Sequence, residues 1–371
     1  MSRSADPDPP VTPPTIARSI LTAACLIGLA RAAAAQDLRV RVLEAELSNP
    51  VSGALVLLVD PEGRERRRGV TSEGGRVYLR APSAGSYRFR LLRIGYVAWE
   101  SPLTEVRGET HDIELRVPSQ RVILPDVIVV GRSLCGARST SDAATMALWE
   151  EAQKAFVLAR ETVLRRRLRF RSVERVEELN KDGRVIAERA ALQPSGLTSW
   201  PVRAPAVESL AAYGFVSQIE NLDAGPTWYG PDPEVLLSDF FLESHCFRPV
   251  PSDSGTPAGW VGLGFEPAPI PHKPDIRGTI WVDRESAELR RLDFSYETLP
   301  SWAVHATAGG RLEFARLPGG LWIVQRWTLR VPVPEVRLGE DRARFHGYLR
   351  TRGWVESVLS EQGQELARFD P

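Results

Sequence analysis

Apolar and charged residues alternate along the first third of the chain, in short runs separated by turn residues. Leu38, Val40 and Val42 occupy every second position, which is the period of a strand with one buried face. Further apolar runs follow at short intervals, namely Leu55–Val59, Val77–Leu79, Tyr87–Leu91 and Ile113–Val117. Pro and Gly residues between the runs favour tight turns. Short strands with frequent turns predict a β-sandwich over residues 37–118.

A different pattern begins at residue 141. Ser141-Asp142 is typical of a helix N-cap, and Trp149 and Phe156 lie at helical spacing in a segment that continues to Leu164. From residue 276 onward, long runs separated by local turns predict an antiparallel meander, with runs at Gly278–Asp283, Leu289–Tyr296, Leu312–Phe314, Trp322–Leu329 and Phe345–Trp354. Residues 141–371 are therefore predicted to form a helix plus a curved antiparallel sheet (α+β). The chain as a whole is predicted to be mainly β.

The segment between these two regions, residues 119–140, is predicted to be a linker. It contains a β-prone strand at Leu124–Gly131. Such a strand either adds to the sheet of a partner protein or packs against the second domain of its own chain.

Residues 194–275 are rich in Pro and Gly and include Trp200, Trp228 and Tyr229. These aromatic residues are candidate contacts for a sugar or a lipid. The alternative is that they cap the core of the second domain. A short helical stretch is predicted near Pro233–Phe241.

An arginine stripe follows the predicted helix. Arg167, Arg169 and Arg171 alternate with Leu168 and Phe170, which predicts a strand with one basic face. The stripe either attracts an anionic partner, such as lipid head groups, or forms a solvated face paired to Glu174, Glu177 and Glu178.

The N-terminal segment has the pattern of a secretory signal peptide. Arg18 precedes an apolar run at Ile20–Ala30, and the small residues Ala33-Ala34-Ala35 come directly before Gln36. The apolar run is shorter than the roughly 20 residues that a spanning helix needs. Residues 1–35 are therefore predicted to direct export, which places the mature protein in the periplasm, at the outer membrane or outside the cell, without a transmembrane segment.

Composition and cysteine content narrow the picture further. The 371 residues suffice for about two domains. Lys+Arg and Asp+Glu both total 47, so the net charge is zero, which argues against nucleic acid as a partner. After the signal, two cysteines remain, Cys135 and Cys246. In an oxidising compartment such a pair is predicted to form a disulfide, with two buried free thiols as the alternative.

Several turn motifs in residues 37–118 resemble the carboxypeptidase regulatory-like domains of bacterial envelope proteins. They occur in the order Pro50-x-x-Gly53-Ala54-x-Val56, Gly75-x-Val77-Tyr78-Leu79, Pro82-x-x-Gly85-x-Tyr87-x-Phe89 and Gly95-Tyr96. The resemblance implies a prealbumin-like, carbohydrate-binding-like sandwich that serves as an accessory module. It implies no carboxypeptidase activity. The meander beyond residue 276 loosely resembles the half-barrels of periplasmic lipoprotein carriers.

Motifs that would indicate catalysis or a metal occur only in isolation. His111-x-x-Glu114 has the spacing of a zinc carboxypeptidase site, but residues three apart on a strand point to opposite faces. Asp253-Ser254-Gly255-Thr256 matches a short aspartic-peptidase signature, yet it lies between prolines in a predicted loop. The sequence therefore predicts no catalytic residue, no metal and no cofactor.

These patterns favour an exported, non-catalytic envelope protein that binds a hydrophobic or glycan ligand or a partner protein. Two alternatives stay open, namely a hydrolase with its site in the second domain and a structural accessory of an outer-membrane receptor or transport system. A deep polar pocket with converging carboxylates or histidines would favour the hydrolase. An apolar cavity inside the curved sheet would favour a lipid carrier.

Overall fold

The protein is mainly β, as the alternating pattern predicts. The computed structural model describes residues 36–107, 110–124, 134–135, 143–166, 168–196, 200–217, 225–252, 255–268, 273–335 and 343–370. The predicted signal peptide, most of the β-prone strand at Leu124–Gly131 and the predicted N-cap at Ser141-Asp142 lie outside the described residues. No helix within these ranges is long and apolar enough to cross a membrane.

The first strands form two sheets that pack face to face. They are β1 (Gln36–Glu44), β2 (Leu55–Val59), β3 (Glu65–Val70), β4 (Arg76–Ala81), β5 (Gly85–Leu92), β6 (Trp99–Glu100), β7 (Thr104–Val106) and β8 (Thr110–Val117). One sheet has the order β4-β1-β8, and the other has the order β3-β2-β5-β6 with β7 paired to β5. Leu38 and Val40 of the first sheet share a core with Val56, Leu58 and Phe89 of the second. This is the sandwich that the alternation predicts.

Strand β3 does not follow the alternating pattern, and the sequence pattern did not predict it. Glu65, Arg66, Arg67 and Arg68 are consecutive charged residues, so no apolar period is visible. The strand lies at the edge of its sheet. Charged side chains at an edge discourage pairing with other chains, which explains the composition.

The rest of the chain supplies one helix and a large sheet, with shorter helices in the loops. Its elements are β9 (Leu134–Cys135), α1 (Ala143–Arg166), β10 (Arg169–Leu179), β11 (Val185–Gly196), α2 (Val207–Tyr213), α3 (Pro233–Leu236), α4 (Asp239–Ser244), β12 (His245–Pro251), β13 (Trp260–Pro267), β14 (Asp275–Asp283), β15 (Leu289–Glu297), β16 (Gly309–Arg316), β17 (Trp322–Glu335), β18 (Arg344–Leu359) and β19 (Glu365–Arg368).

The large sheet contains the predicted meander. Its strand order is β11-β10-β18-β17-β16-β15-β14-β13-β12-β9, with β19 paired to β18. Strands β12 to β18 are thus neighbours in chain order, and their pairs are antiparallel. The β10–β11 hairpin joins the far side through an antiparallel pairing of β10 with β18. That pairing links strands far apart in sequence, which local patterns do not reveal.

Helix α1 packs on one face of the large sheet, which we call the inner face. Leu148 and Phe156 of α1 are buried in one core with Ile280, Leu292 and Leu312, which pair directly across β14, β15 and β16. Successive side chains on a strand alternate between faces. The opposite, outer face is therefore formed by the residues between these apolar positions.

Strand β2 is buried on both faces, which explains its unbroken apolar run. Val56 and Leu58 point into the sandwich core, whereas Leu55, Leu57 and Val59 belong to the core around α1. The sandwich and the large sheet therefore share an apolar contact, which we call the joint.

A buried ion pair completes the joint. The backbone N–H of Gly95 donates to Oε2 of Glu151 over 2.8 Å, and Nζ of Lys154 donates to the carbonyl of Tyr96 over 2.8 Å. Glu151 and Lys154 pair with each other over 2.5 Å on α1. Burial raises the pKa of Glu151, against the opposing effect of Lys154. The Gly95-Tyr96 turn thus docks on charged groups of the helix.

Candidate functional site

The outer face of the large sheet carries rows of arginine. Arg175 of β10, Arg352 of β18, Thr328 of β17 and Arg311 of β16 lie directly opposite one another across successive strands. The neighbour of Thr328, Trp327, belongs to the inner core. Because side chains alternate along a strand, the row that contains Thr328 lies on the outer face.

The adjacent row lies on the same face. It runs from Val173 through Trp354 and Arg326 to Glu313, in direct register across β10, β18, β17 and β16. Arg326 is the other chain neighbour of Trp327, so it also points outward. The first row thus contributes three guanidinium groups to this face, and the second row contributes that of Arg326 and the indole ring of Trp354.

These rows line two adjoining shallow depressions. One encloses about 330 Å³ between Arg175, Arg326, Arg352 and Trp354. The other encloses about 490 Å³ and is lined by residues that include Asp293, Thr307, Gly309 and Arg330. Arg311 and Thr328 line both. We call the combined surface the arginine trough.

Positive charge exceeds negative charge in the arginine trough. Among the described residues that line it, five are arginines and two, Asp293 and Glu313, are acidic. Nε of Arg311 pairs with Asp293 over 2.7 Å, and Arg326 donates to the backbone carbonyl of Asp370 over 2.9 Å. The side chain of Arg311 is still 50% exposed, so its charge remains accessible to a ligand.

A further carboxylate beside this surface is bound by arginines of β18. Glu177 is buried, and it accepts hydrogen bonds from Arg350 and Arg352 of β18. The bond from Arg350, together with that from Arg352, holds the pKa of Glu177 below its usual range. This pairing corrects the expectation that Glu177 would serve the arginine stripe on its own strand. Of that stripe, Arg169 and Arg171 are exposed, and Arg167 lies outside the described residues.

Aromatic rings flank the guanidinium groups. Cζ of Arg175 lies 5.7 Å from the ring of Trp354, and Cζ of Arg330 lies 3.7 Å from the ring of Tyr348. Nε of Arg330 is buried and has no hydrogen-bond partner within the described part of the chain. Planar guanidinium groups match carboxylate and phosphate oxygens in pairs, and an indole face accepts apolar C–H surfaces.

The predicted aromatic contacts lie elsewhere, against the core around α1. The indole N–H of Trp200 donates to the carbonyl of Pro231 over 3.3 Å, and its ring lies 5.6 Å from that of Phe314. The ring of Trp228 lies 5.1 Å from Tyr296, whose hydroxyl donates to the carbonyl of Tyr229 over 2.6 Å. Such contacts are expected for the alternative in which the three aromatic residues cap the core of the second domain. A ligand-contact role for Trp200, Trp228 and Tyr229 stays a prediction.

The two cysteines are brought together by strand pairing. Cys135 of β9 lies directly opposite Cys246 of β12 in an antiparallel pair at the edge of the large sheet. The Cys246 side chain is buried. Directly opposed residues on neighbouring strands are close enough for a bridge, so this register supports the predicted disulfide, which stays a prediction.

Among the described residues, the two ends of the His111-x-x-Glu114 motif do not form a site together. His111 and Glu114 lie on β8, where three residues of separation place them on opposite faces, and Nε2 of His111 accepts from the backbone N–H of Arg107 over 2.8 Å. Asp253 and Ser254 lie outside the described residues. No group of three metal-ligating side chains occurs among the residues that the structure describes.

Sequence reasoning did not identify the arginine trough. Its local signal was present, because Arg350 and Arg352, like Arg326 and Arg330, recur at even spacing and so share a strand face. What the sequence lacked was the register that aligns β10, β16, β17 and β18.

No family model matches the chain, and no curated protein matches it. Among solved structures, the Bacillus anthracis TIE protein is 15% identical with a TM-score of 0.21, covers 43% of this chain, and is itself covered over only 25% of its length. A Streptococcal ancillary pilin is 11% identical with a TM-score of 0.18, over 54% of this chain and 60% of the pilin. A membrane-associated protein of unknown function from Bacteroides fragilis is 8% identical with a TM-score of 0.17, over 87% and 98%. TM-scores this low establish no shared fold, and no functional argument follows from them.

Proposed function

We propose that this is an exported, non-catalytic envelope protein that binds acidic glycans in the arginine trough. The observation that carries the proposal is the excess of guanidinium groups over carboxylates on one sheet face, with Trp354 beside them. The predicted signal peptide supports the proposed export of the protein. The resemblance of residues 37–118 to carboxypeptidase regulatory-like domains supports an accessory role for this part of the chain.

The shape of the trough favours an extended polymer over a compact ligand. Its two depressions adjoin at Arg311 and Thr328 and continue across β10, β18, β17 and β16. A sugar chain that carries carboxylates or phosphates could place an anionic group against several arginines in turn. The apolar face of a sugar ring fits an indole such as Trp354.

The same geometry weighs against the alternatives. A glycoside hydrolase typically needs two carboxylates that face the substrate. In the trough, Asp293 is held by Arg311, by Arg291 over 2.8 Å and by the indole N–H of Trp281 over 2.9 Å, which leaves Glu313 as the other lining carboxylate. A lipid carrier would need apolar space inside the curved sheet, whereas α1 and its buried side chains occupy the inner face. Binding of an anionic ligand requires neither a pair of catalytic carboxylates nor an apolar cavity.

The test compares a uronate oligosaccharide with a neutral oligosaccharide of the same length by calorimetry. We expect binding of the acidic sugar only, weakening as salt rises because exposed charges are screened. Arg326→Gln and Trp354→Ala should each raise the Kd about tenfold, the equivalent of losing one charged hydrogen bond or one ring contact.

Arg39→Gln is the matched control, since Arg39 is an exposed arginine on the outer strand face of the sandwich, 3.5 Å from Asp112. It should leave the Kd unchanged. Equal binding of acidic and neutral sugars, or equal losses in Arg39→Gln and Arg326→Gln, would contradict the proposal. Release of shortened sugars during the titration would instead support the hydrolase.

A further inference from the structure

A second charged pocket lies at the joint, separate from the arginine trough. It encloses about 180 Å³, and its lining includes Arg93, Tyr96 and Arg121 from the sandwich side and Glu288 and Arg316 from the large sheet. We call it the joint pocket. Both modules are needed to form it.

Close backbone contact sets the position of the joint pocket. Gly53, which has φ of +68°, and Gly320, which has φ of +78°, line it and lie back to back. A Cβ on Gly53 would come within 2.5 Å of Cα of Gly320. Only glycine allows this approach, so the arginines on the two sides are brought near each other by the docking itself.

The charges in the joint pocket are incompletely balanced. Arg93 pairs with Glu44 over 3.5 Å, and Arg316 pairs with Glu288 over 3.3 Å. Arg290, which does not line the pocket, reaches both Glu288 over 3.2 Å and Asp283 over 3.5 Å. The lining itself contains three arginines, Arg93, Arg121 and Arg316, and one carboxylate, Glu288.

Arg121 adds a further positive charge. Its Cζ lies 5.8 Å from the ring centroid of Tyr96, and Cζ of Arg93 lies 4.0 Å from the same centroid. Two guanidinium groups thus share one aromatic ring. The two Cζ atoms are therefore no more than about 10 Å apart, and like charges repel more strongly where protein replaces water. An anion between them would relieve the repulsion.

We propose that the joint pocket binds a tetrahedral oxyanion, either inorganic phosphate or the phosphate of a small ester. The bound anion stabilises the contact between the sandwich and the large sheet. Guanidinium groups from three separate segments would contact its oxygens, Arg93 after β5, Arg121 after β8 and Arg316 at the end of β16. The fork of a guanidinium matches two phosphate oxygens at once. The inference is independent of glycan binding.

The test is a thermal-unfolding titration of the full chain with inorganic phosphate, at an ionic strength held constant with chloride. A ligand that binds only the folded state raises Tm by an amount that grows with its concentration relative to its Kd. We expect phosphate to raise Tm in wild type, and Arg121→Gln to raise the apparent Kd about tenfold, as for loss of one charged contact. A parallel titration with glycerol phosphate shows whether a phosphate ester binds more tightly than the free phosphate ion.

Two controls separate this site from other arginines. Arg67→Gln and Arg39→Gln each alter an exposed arginine that lies outside both the joint pocket and the arginine trough. Both should keep the wild-type response to phosphate. The inference is overturned if phosphate raises Tm no more than chloride does, if Arg121→Gln keeps the wild-type Kd, or if the response disappears in either control variant instead.

Discussion

Replacing Lys154 by methionine is expected to leave Glu151 as an unpaired carboxylate at the joint. The two side chains are 8% and 1% exposed, so water cannot take over the role of the ammonium group. Methionine keeps most of the apolar stem of lysine, which limits the change to the lost charge and the lost hydrogen bond to Tyr96. Breaking a buried pair in this way costs about 3–5 kcal/mol of unfolding free energy.

The loss should depend on pH, because Glu151 can escape the penalty by protonating. Its pKa in the folded protein is already raised above the ordinary 4.5 by burial, so the folded state binds the proton more tightly than the unfolded state. Stability from this group is therefore present at low pH and is lost as pH rises through the raised value. The Lys154→Met variant should be least stable, relative to wild type, on the alkaline side of that value.

Urea unfolding at a series of pH values, from the ordinary carboxyl pKa of 4.5 upward to mildly alkaline solution, measures this difference. The double variant Glu151→Gln, Lys154→Met removes both charges and keeps an acceptor for the Gly95 amide, so it should lie within about 1 kcal/mol of wild type. The reasoning would be refuted if Lys154→Met lost less than about 1 kcal/mol at the alkaline end of the series, or if the double variant were as unstable as the single one.

Three further predictions concern stability. Peptide mapping without reductant should recover Cys135 and Cys246 in one linked peptide, and reduction should lower the unfolding free energy by about 2–4 kcal/mol; free thiols at both positions would contradict this. Gly53→Ala should cost about 1–3 kcal/mol more than Gly63→Ala, because both glycines have positive φ but Gly63 has open space around it; equal losses would mean that the close approach at the joint carries no weight. Glu177→Gln should remove the stability that the ionised Glu177 carboxylate contributes to the folded protein. That stability is present above the ordinary carboxyl pKa and is lost as pH falls through the lowered pKa of the folded state, so the unfolding free energies of wild type and variant should converge in acid. A constant difference across the acid range would contradict this prediction.

Strands with one buried face could be predicted from the sequence. The alternation at Leu38, Val40 and Val42 identifies β1, and the helical spacing of Trp149 and Phe156 identifies α1. These signals are local, since a strand or helix with one buried face repeats its apolar residues at the period of its own backbone. The mainly β class followed from them without any knowledge of the fold.

Strands whose surroundings come from distant parts of the chain were harder to interpret. The apolar run of β2 predicted a buried strand. Only the structure shows that one set of its side chains faces the sandwich and the other set faces α1. The charged strand β3 carried no apolar period at all. Both cases depend on neighbours from distant parts of the chain.

The candidate sites depended on tertiary structure almost entirely. Trp200, Trp228 and Tyr229 drew attention because of their residue type, yet their rings pack against the core around α1. The arginine trough arises because β10 pairs with β18, which brings Arg175 beside Arg352 across a long stretch of sequence. The sequence by itself determined which residues share a strand face, because that follows from backbone geometry. Only the tertiary structure decided which faces adjoin, because register is set by the packing of the whole sheet on α1 and on the sandwich.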